Sequence, residues 1–284
     1  MSHRTRSLKQ VAYNKALALY RASPLHPHLS ASIAKFISAV QGERDVTRDL
    51  PDFRMSLNTA QWIDSTILMT GTFEPTTTAL IRRALKPGMT AVDVGANIGW
   101  LTLTMAHAVQ STGKVWAFEP SDWTFARLQK NIALNTFEHI TAVRAAVGDS
   151  NGSLELMFPC GYRLDGTDTA TRQNVDLVSL DTVLEGKTID LLKVDTDGSE
   201  LEVIMGANNL IQTSRPVIVF EVMARTPKDK LHSLAQLLSD SQYAICSEAF
   251  DPVDDFAEFV STIATGTANL IAATPDKIAT LQKP

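Results

Sequence analysis

The sequence predicts an α/β fold built on a largely parallel sheet, and three observations support that prediction. Short apolar runs rich in β-branched residues alternate with helix-like stretches over most of the chain. These runs are apolar throughout, which is typical of strands covered by helices on both faces. Polar residues follow directly after several of the runs. We therefore expect one α/β domain over residues 71–284, preceded by a helical N-terminal extension, or cap, over residues 1–70.

The first fifty residues are expected to be helical. Apolar side chains recur at helical spacing over residues 8–19 and 29–40, and the breaker PLHP at residues 24–27 separates the two stretches. Such helices can pack on the domain, cap an active site, or do both. Residues 52–57 alternate in polarity and predict a short strand, and residues 76–81 begin a helix that ends before Pro87.

Seven apolar runs are the predicted strands of the sheet. They lie at residues 91–94, 115–118, 140–147, 189–194, 216–222, 243–246 and 270–273. Helices are predicted between most of them, for example over residues 125–134, 200–210 and 230–238. Residues 153–158 predict an extra strand in a hairpin-like insertion. Because ligands of such sheets bind outside the carboxyl ends of the strands, the residues at those ends are the candidate site.

The composition argues against several classes of protein. The chain has 284 residues, of which 44% are hydrophobic and 20% charged, close to the soluble globular average. A net charge of -5 argues against a nucleic-acid-binding face and a polybasic membrane surface. No apolar run reaches the ~20 residues of a membrane span. Cys160 and Cys246 lack metal or disulfide spacing. We expect a cytoplasmic protein with neither nucleic-acid nor membrane partners.

The first predicted strand is followed by a glycine-containing loop, DVGANIG at residues 93–99. Gly95 and Gly99 permit a tight turn and a close approach of the backbone to a ligand. The three-glycine dinucleotide pattern is not met, because Asn97 and Trp100 stand where its second and third glycines would be. The loop therefore favours a ligand without phosphates at this place, and an ordinary strand-to-helix turn is the alternative.

Two further strand ends carry carboxylates that suit a nucleoside. Glu119 follows the second run, where a carboxylate can accept both hydroxyls of a ribose. Asp149 follows the third run and can accept a hydrogen bond from an adenine amino group. Its alternative role is in a turn with Gly148, ahead of Asn151 and Gly152. The two carboxylates together predict an adenosine-containing ligand.

The fourth run leads into the densest group of charged residues, LLKVDTDGSE at residues 191–200. Asp195 stands where the strand meets the cleft, and Asp197 and Glu200 lie at the start of the next helix, whose dipole favours anions. Helix capping is the alternative role for Asp197, and a buried pairing with a carboxylate is the alternative role for Lys193. Asp195 and Asp197 are the candidate catalytic residues.

Taken together, these segments resemble those of the FkbM-type methyltransferases. The resemblance rests on residues 93–99, 118–120 and 193–200, with supporting matches at 71–75, 131–135, 179–181 and 220–222. Asp197 departs from the family, which usually has the longer glutamate there, and Trp100 replaces the common tyrosine or phenylalanine. The resemblance implies a Rossmann-like class I methyltransferase sheet of seven strands, the last of them antiparallel. It also implies S-adenosylmethionine as the methyl donor and O-methylation of a sugar or secondary-metabolite hydroxyl.

The resemblance also implies roles for the candidate residues. Those assigned to the donor are Glu74, Asp93, Gly95, Ala96, Asn97, Gly99, Glu119 and Asp149. Asp195 would accept the proton of the acceptor hydroxyl, or bind that hydroxyl. Mg²⁺ on Asp195 and Asp197 is not favoured, because no third ligand is identifiable.

Two alternative functions stay open on the sequence alone. One is an NAD(P)-linked oxidoreductase on a similar sheet, and the other is a catalytically silent methyltransferase-like binding domain. The expected partner is a small-molecule hydroxyl acceptor. An apolar stripe on the first two helices would permit a homodimer.

Overall fold

The computed structural model describes residues 42–159, 161, 163, 169–263 and 266–283. The helices expected over residues 8–19 and 29–40 lie outside this range. The helical prediction is wrong for the end of the first fifty residues, where Asp45–Asp49 forms strand β1 and pairs antiparallel with β2, Arg54–Asn58. Strand β2 confirms the strand predicted at residues 52–57. Helix α1, Trp62–Thr70, follows the hairpin and ends at Gly71, which has a left-handed φ of 78°.

Within the described residues, seven strands form one central sheet. They are β3 (Thr90–Val94), β4 (Lys114–Phe118), β5 (Ile140–Val143), β9 (Leu191–Val194), β10 (Val217–Met223), β11 (Ala244–Ser247) and β12 (Thr267–Ala273). Their order is β11-β12-β10-β9-β3-β4-β5. Strand β12 runs antiparallel to both neighbours, whereas the pairs from β10 to β5 are parallel. The predicted seven-stranded sheet with an antiparallel last strand is confirmed.

Helices cover this sheet on both faces. They are α2 (Pro75–Ala84), α3 (Trp100–Val109), α4 (Asp122–Ala133), α5 (Leu180–Val183), α6 (Glu200–Met205), α7 (Asn208–Ser214), α8 (Lys228–Asp240), α9 (Phe256–Thr262) and α10 (Pro275–Leu281). The single helix predicted over residues 200–210 is two helices that meet at Gly206. A Cβ on Gly206 would lie 1.8 Å from the carbonyl oxygen of Gly148, so only glycine fits this close contact.

A smaller three-stranded sheet is inserted between β5 and β9. It consists of β6 (Ala146–Val147), β7 (Gly152–Pro159) and β8 (Ala170–Val178) in the order β6-β8-β7. Strands β7 and β8 pair antiparallel in register from Gly152–Leu177 to Pro159–Ala170. The predicted hairpin-like insertion is therefore confirmed.

The two faces of the central sheet bury separate apolar clusters. One contains Val92 and Phe220 and continues into helices α6 and α8. The other contains Leu103 and joins the sheet to Leu57 of the β1–β2 hairpin and Ile67 of helix α1. Fully burying a side chain of this size contributes ~1.5–3 kcal/mol. The hairpin and α1 therefore pack directly on the α/β domain, and the domain boundary at residue 70 stays a prediction.

None of the helices in the described part of the chain has the length and apolar character needed to span a membrane.

Candidate active site

A cavity of about 380 Å³ lies beyond the carboxyl ends of β3, β4, β9 and β10. The predicted site residues that line it are Glu74, Asp93, Gly95, Ala96, Asn97, Glu119, Asp195 and Asp197. Residues that are far apart in the sequence therefore meet because parallel strands place their carboxyl ends at one edge of the sheet. Gly95 and Glu119 in particular share one cavity.

The loop after β3 makes a turn that its residue types permit. Gly95 has a φ of 79° and Asn97 a φ of 49°, both in the left-handed region that glycine and asparagine tolerate best. A Cβ on Gly95 would lie 1.7 Å from the carbonyl oxygen of Asp195. The backbone N–H groups of Gly95 and Ala96 both donate to the carbonyl oxygen of Phe118, at 3.0 and 2.9 Å. The loop is thus held tightly between β4 and β9.

Glu119 is a buried carboxylate at the end of β4. Its Oε2 accepts the backbone N–H of Asn97 and its Oε1 accepts that of Ser121, each at 3.0 Å. Burial raises the pKa of Glu119 to about 7, although the hydrogen bonds from the two backbone N–H groups lower it. Each carboxylate oxygen has a second lone pair. Glu119 can therefore accept two further hydrogen bonds from a ligand in the cavity.

Asp93 lies beneath the glycine loop and is almost completely buried. Its Oδ2 accepts the Thr102 hydroxyl at 2.5 Å, which ties the end of β3 to helix α3. Burial raises the pKa of Asp93 to about 6, although the Thr102 hydrogen bond and the Lys193 charge lower it.

Lys193 is a buried cation among the carboxylates. It pairs in register with Asp93 across β3 and β9, and its Nζ lies 3.1 Å from Oδ2 of Asp195. Burial opposes its charged form, but Asp195, Glu74 and Asp93 together outweigh that cost and raise the pKa of Lys193. The buried pairing considered for Lys193 is therefore confirmed. The ammonium group holds Asp195 next to the cavity.

Glu221 of β10 also lines the cavity and was not among the predicted site residues. Burial raises the pKa of Glu221 to about 8, and the negative charge of Asp195 adds to the rise. Asp195 and Glu221 are therefore neighbouring carboxyl groups in the cavity wall. A glutamate inside the otherwise apolar strand VIVFEVM is the sequence signal that could have found it.

The loop after β9 is fixed by Glu200. Its Oε1 accepts the backbone N–H and the hydroxyl of Thr196 and the N–H of Gly198, each at 3.1 Å. Helix α6 begins after Ser199 without a side-chain cap, so Asp197 does not cap it. Asp197 instead lines the cavity with a left-handed φ of 56°, and burial followed by the charge of Asp195 raises its pKa.

Two predicted donor residues do not line the cavity. Asp149 is exposed, and its Oδ1 accepts the Ser150 hydroxyl at 3.1 Å in the turn that packs on Gly206. Its position does not support the predicted contact with adenine, and the turn that was its alternative role is what the structure contains. Gly99, with a φ of 94°, faces Leu128 and acts through the backbone turn that begins α3. The wall beyond β5 is instead apolar, formed by Ala145, Ala146, Val147, Leu156 and Phe158.

Carboxylates dominate the charged lining of the cavity. Seven line it in the described part of the chain: Asp64, Glu74, Asp93, Glu119, Asp195, Asp197 and Glu221. The basic lining residue found there is Arg127, whose guanidinium already pairs with Asp64 and lies 4.8 Å from the Trp123 ring centroid. Such a lining favours a cationic ligand over an anionic one. No group of three or more His, Cys, Asp or Glu side chains that could hold a metal ion occurs within the ranges that the structure describes.

The sheet order, the tight glycine loop and the buried carboxylate at the end of β4 define a Rossmann-like protein with an acidic cavity at the carboxyl ends of its strands. A model of the methyltransferase FkbM domain matches residues 93–258, more than half of the chain, and the protein belongs to this family. The resemblance stated from the sequence is therefore confirmed.

The chain is also similar in sequence to proteins that are named as methyltransferases. The hexuronic acid methyltransferase AglP of Haloferax volcanii is 33% identical over 157 residues, covering 52% of this chain and 63% of AglP. Methyltransferase sdnD of Sordaria araneosa is 31% identical over 155 residues, covering 41% and 60% of the two chains. The chain thus spans less than two thirds of the length of either relative. The crystal structure of methyltransferase FkbM from Methylobacillus flagellatus is 17% identical, with a TM-score of 0.44 over 75% of this chain and 61% of that one.

Proposed function

We propose that the protein transfers a methyl group from S-adenosylmethionine to a hydroxyl of a small acceptor, a sugar or a secondary metabolite. The observation that carries this proposal is the acidic cavity, with the glycine loop and Glu119 on one side and Asp195 on the other. Membership of the FkbM methyltransferase family supports it, and the name of the AglP relative is consistent with a sugar acceptor.

The residues present fit this donor. Glu119 keeps two lone pairs free for the ribose hydroxyls, since its backbone partners use one lone pair on each oxygen. The apolar wall of residues 145–147, with Leu156 and Phe158, suits an adenine ring. Asp93 and Glu74 supply negative charge for the ammonium group of the methionine part. The excess of carboxylates favours a ligand with a sulfonium charge.

S-adenosylmethionine supplies a methyl group that its sulfonium charge already activates. The protein's part is first to orient the acceptor oxygen, since good alignment contributes ~7–11 kcal/mol relative to free encounter. Asp195 then takes the hydroxyl proton as the oxygen–hydrogen bond breaks, which adds ~10²–10⁴-fold in rate. The Lys193 ammonium group orients the Asp195 carboxylate through a hydrogen bond of 3.1 Å. Glu221 lies beside Asp195 and is placed to share the transferred proton.

Ligand-induced stabilisation tests the proposal. S-adenosylmethionine and S-adenosylhomocysteine should each raise the melting temperature, with ~2.7 kcal/mol of stabilisation at 100 times the dissociation constant. NAD should give no shift. A response to NAD alone would contradict the proposal. Donor binding without a methylated product across a broad panel of hydroxyl compounds would favour a silent binding domain instead.

The affinity for the donor is expected to rise with pH. Burial raises the pKa of Glu119 from 4.5 to about 7, so between these values the native state binds more protons than the unfolded state. Stability of the ligand-free protein should therefore fall as the pH rises through this window. Affinity for S-adenosylhomocysteine should increase over the same range, by at most ~10-fold per pH unit, because only ionised Glu119 accepts both hydroxyls.

Glu119→Gln is the matched variant for this measurement. Titration calorimetry from about pH 5.5 to 8.5 should show a ~10–100-fold weaker affinity and a shallower pH dependence in the variant. A residual slope is expected from Asp93, whose pKa is raised to about 6, and from Glu221, whose pKa is raised to about 8. Equal pH profiles for the two proteins would exclude Glu119 from the ribose site.

A further inference from the structure

Trp62 lies in the first turn of α1 and contributes an open aromatic surface to the cavity. Its side chain lines the cavity yet is 44% exposed, a large value for tryptophan. It packs edge-to-face against Phe73, with ring centroids 6.0 Å apart and an angle of 82° between the rings. This contact holds the indole in place, and the remaining surface is free to stack on a ligand.

Gln61, the residue before Trp62, brings an unpaired polar atom to the same wall. It is only 4% exposed and lines the cavity, and its Oε1 has no hydrogen-bond partner among the residues that the structure describes. Buried polar atoms are nearly always hydrogen-bonded. A Cβ on Gly161 would lie 2.3 Å from this oxygen, so the amide is confined by the backbone of the loop after β7. A ligand hydroxyl is the kind of donor that would complete the site.

The Trp62 wall connects to the acid that we assign to proton transfer. Phe73, which supports Trp62, is followed directly by Glu74. The Glu74 carboxylate belongs to the group that surrounds Lys193 together with Asp195. The Trp62 wall is thus linked, through Phe73 and Glu74, to the charged group that contains Asp195, and both line the same cavity.

The charge of the lining selects between kinds of acceptor. The six acidic side chains other than Asp64 disfavour an anion, since the guanidinium of Arg127 is already engaged by Asp64. An aromatic acceptor would satisfy Trp62 but offers few hydroxyls. A sugar ring has an apolar face for the indole and several hydroxyls for Gln61 and the polar side chains of Asp197, Ser199 and Thr267.

We propose that Gln61 and Trp62 form the acceptor subsite and that it takes an uncharged sugar ring. This inference rests on the proposed methyl transfer and narrows its acceptor. It is tested by calorimetric titration of the protein, with and without saturating S-adenosylhomocysteine. The probes are methyl glycosides of glucose, galactose, mannose, fucose and rhamnose, together with methyl glucuronide and catechol.

At least one neutral glycoside should bind, and more tightly than methyl glucuronide and catechol. Trp62→Ala should weaken that binding by at least about tenfold and Gln61→Ala by about fivefold, while Trp62→Phe keeps most of it. The affinity for S-adenosylhomocysteine should stay within about twofold of the original in all three variants. Met157→Ala is the control, since Met157 is a 60% exposed apolar side chain that does not line the cavity.

Three results would overturn the acceptor assignment. They are the absence of binding by every neutral glycoside, preferred binding of the glucuronide or catechol, and unchanged glycoside affinity in Trp62→Ala. A titration with S-adenosylhomocysteine alone distinguishes a wrong acceptor assignment from a wrong proposed function. Donor-product binding without sugar binding rejects only the sugar subsite, whereas no binding of S-adenosylhomocysteine rejects methyl transfer itself.

Discussion

Gly95→Ala is expected to weaken donor binding strongly and to destabilise the fold. The left-handed φ of 79° costs an alanine ~1–2 kcal/mol. The new Cβ would also lie 1.7 Å from the Asp195 carbonyl oxygen, so the loop and the end of β9 must separate. A displacement of about 1 Å at such a site lowers the reaction rate on the order of 100-fold. Urea unfolding and titration with S-adenosylhomocysteine measure the two effects.

Gly186→Ala is the control variant that separates the effect of backbone strain from the effect of steric overlap with a neighbouring atom. Gly186 has a φ of 70°, close to that of Gly95, but a Cβ there would meet no atom within 4 Å. Its alanine variant should lose only the ~1–2 kcal/mol of the left-handed backbone and bind S-adenosylhomocysteine normally. If both variants lost the same stability and kept the same affinity, the tight contact between the glycine loop and β9 would have no functional role.

The sheet could be predicted because its signals are local. A buried parallel strand must be apolar throughout, so runs such as residues 115–118 and 216–222 stand out from the amphipathic helices between them. The β1–β2 hairpin was only half predicted, since β1, DVTRD, is polar and exposed at alternate positions and has no apolar run. The break at Gly206 depends on its contact with Gly148, which is distant in the sequence.

The site residues could be predicted only where a charged side chain directly follows an apolar run and so marks the end of a strand. Glu119 and Asp195 follow apolar runs, and a parallel sheet brings such positions together. Asp149 follows one too, but it lies in the exposed turn between β6 and β7 that packs on Gly206 and does not line the cavity. Trp62 and Arg127 reach the cavity from helices, and Gln61 reaches it from the position just before α1. This tertiary packing leaves no regular spacing in the sequence.

Asp195→Asn is expected to lower turnover by ~10²–10⁴-fold, the contribution of a positioned general base. The amide cannot accept the hydroxyl proton, although it keeps the shape of the side chain. The affinity for S-adenosylhomocysteine should stay within about threefold, since Glu119, the proposed ribose ligand, is unaltered. Loss of the Asp195 charge should also lower the pKa of Glu221 below its present value of about 8, because that charge is one of its causes. Single-turnover methylation across a pH range measures both the rate and this shift.

Asp176→Asn is the matched control, because Asp176 is an exposed aspartate of β8 that does not line the cavity. It should leave turnover and its pH profile unchanged. If Asp195→Asn kept wild-type turnover, Asp195 would not be the proton acceptor. A comparison of the turnover lost in Asp195→Asn with that lost in Asp197→Asn identifies which aspartate is the general base. Only Asp195 has both the Lys193 ammonium at 3.1 Å and the Glu221 carboxyl beside it, among the described residues. If Asp197→Asn lost more turnover than Asp195→Asn, the group formed by Lys193, Asp195 and Glu221 would stabilise the loop after β9 and take no part in proton transfer.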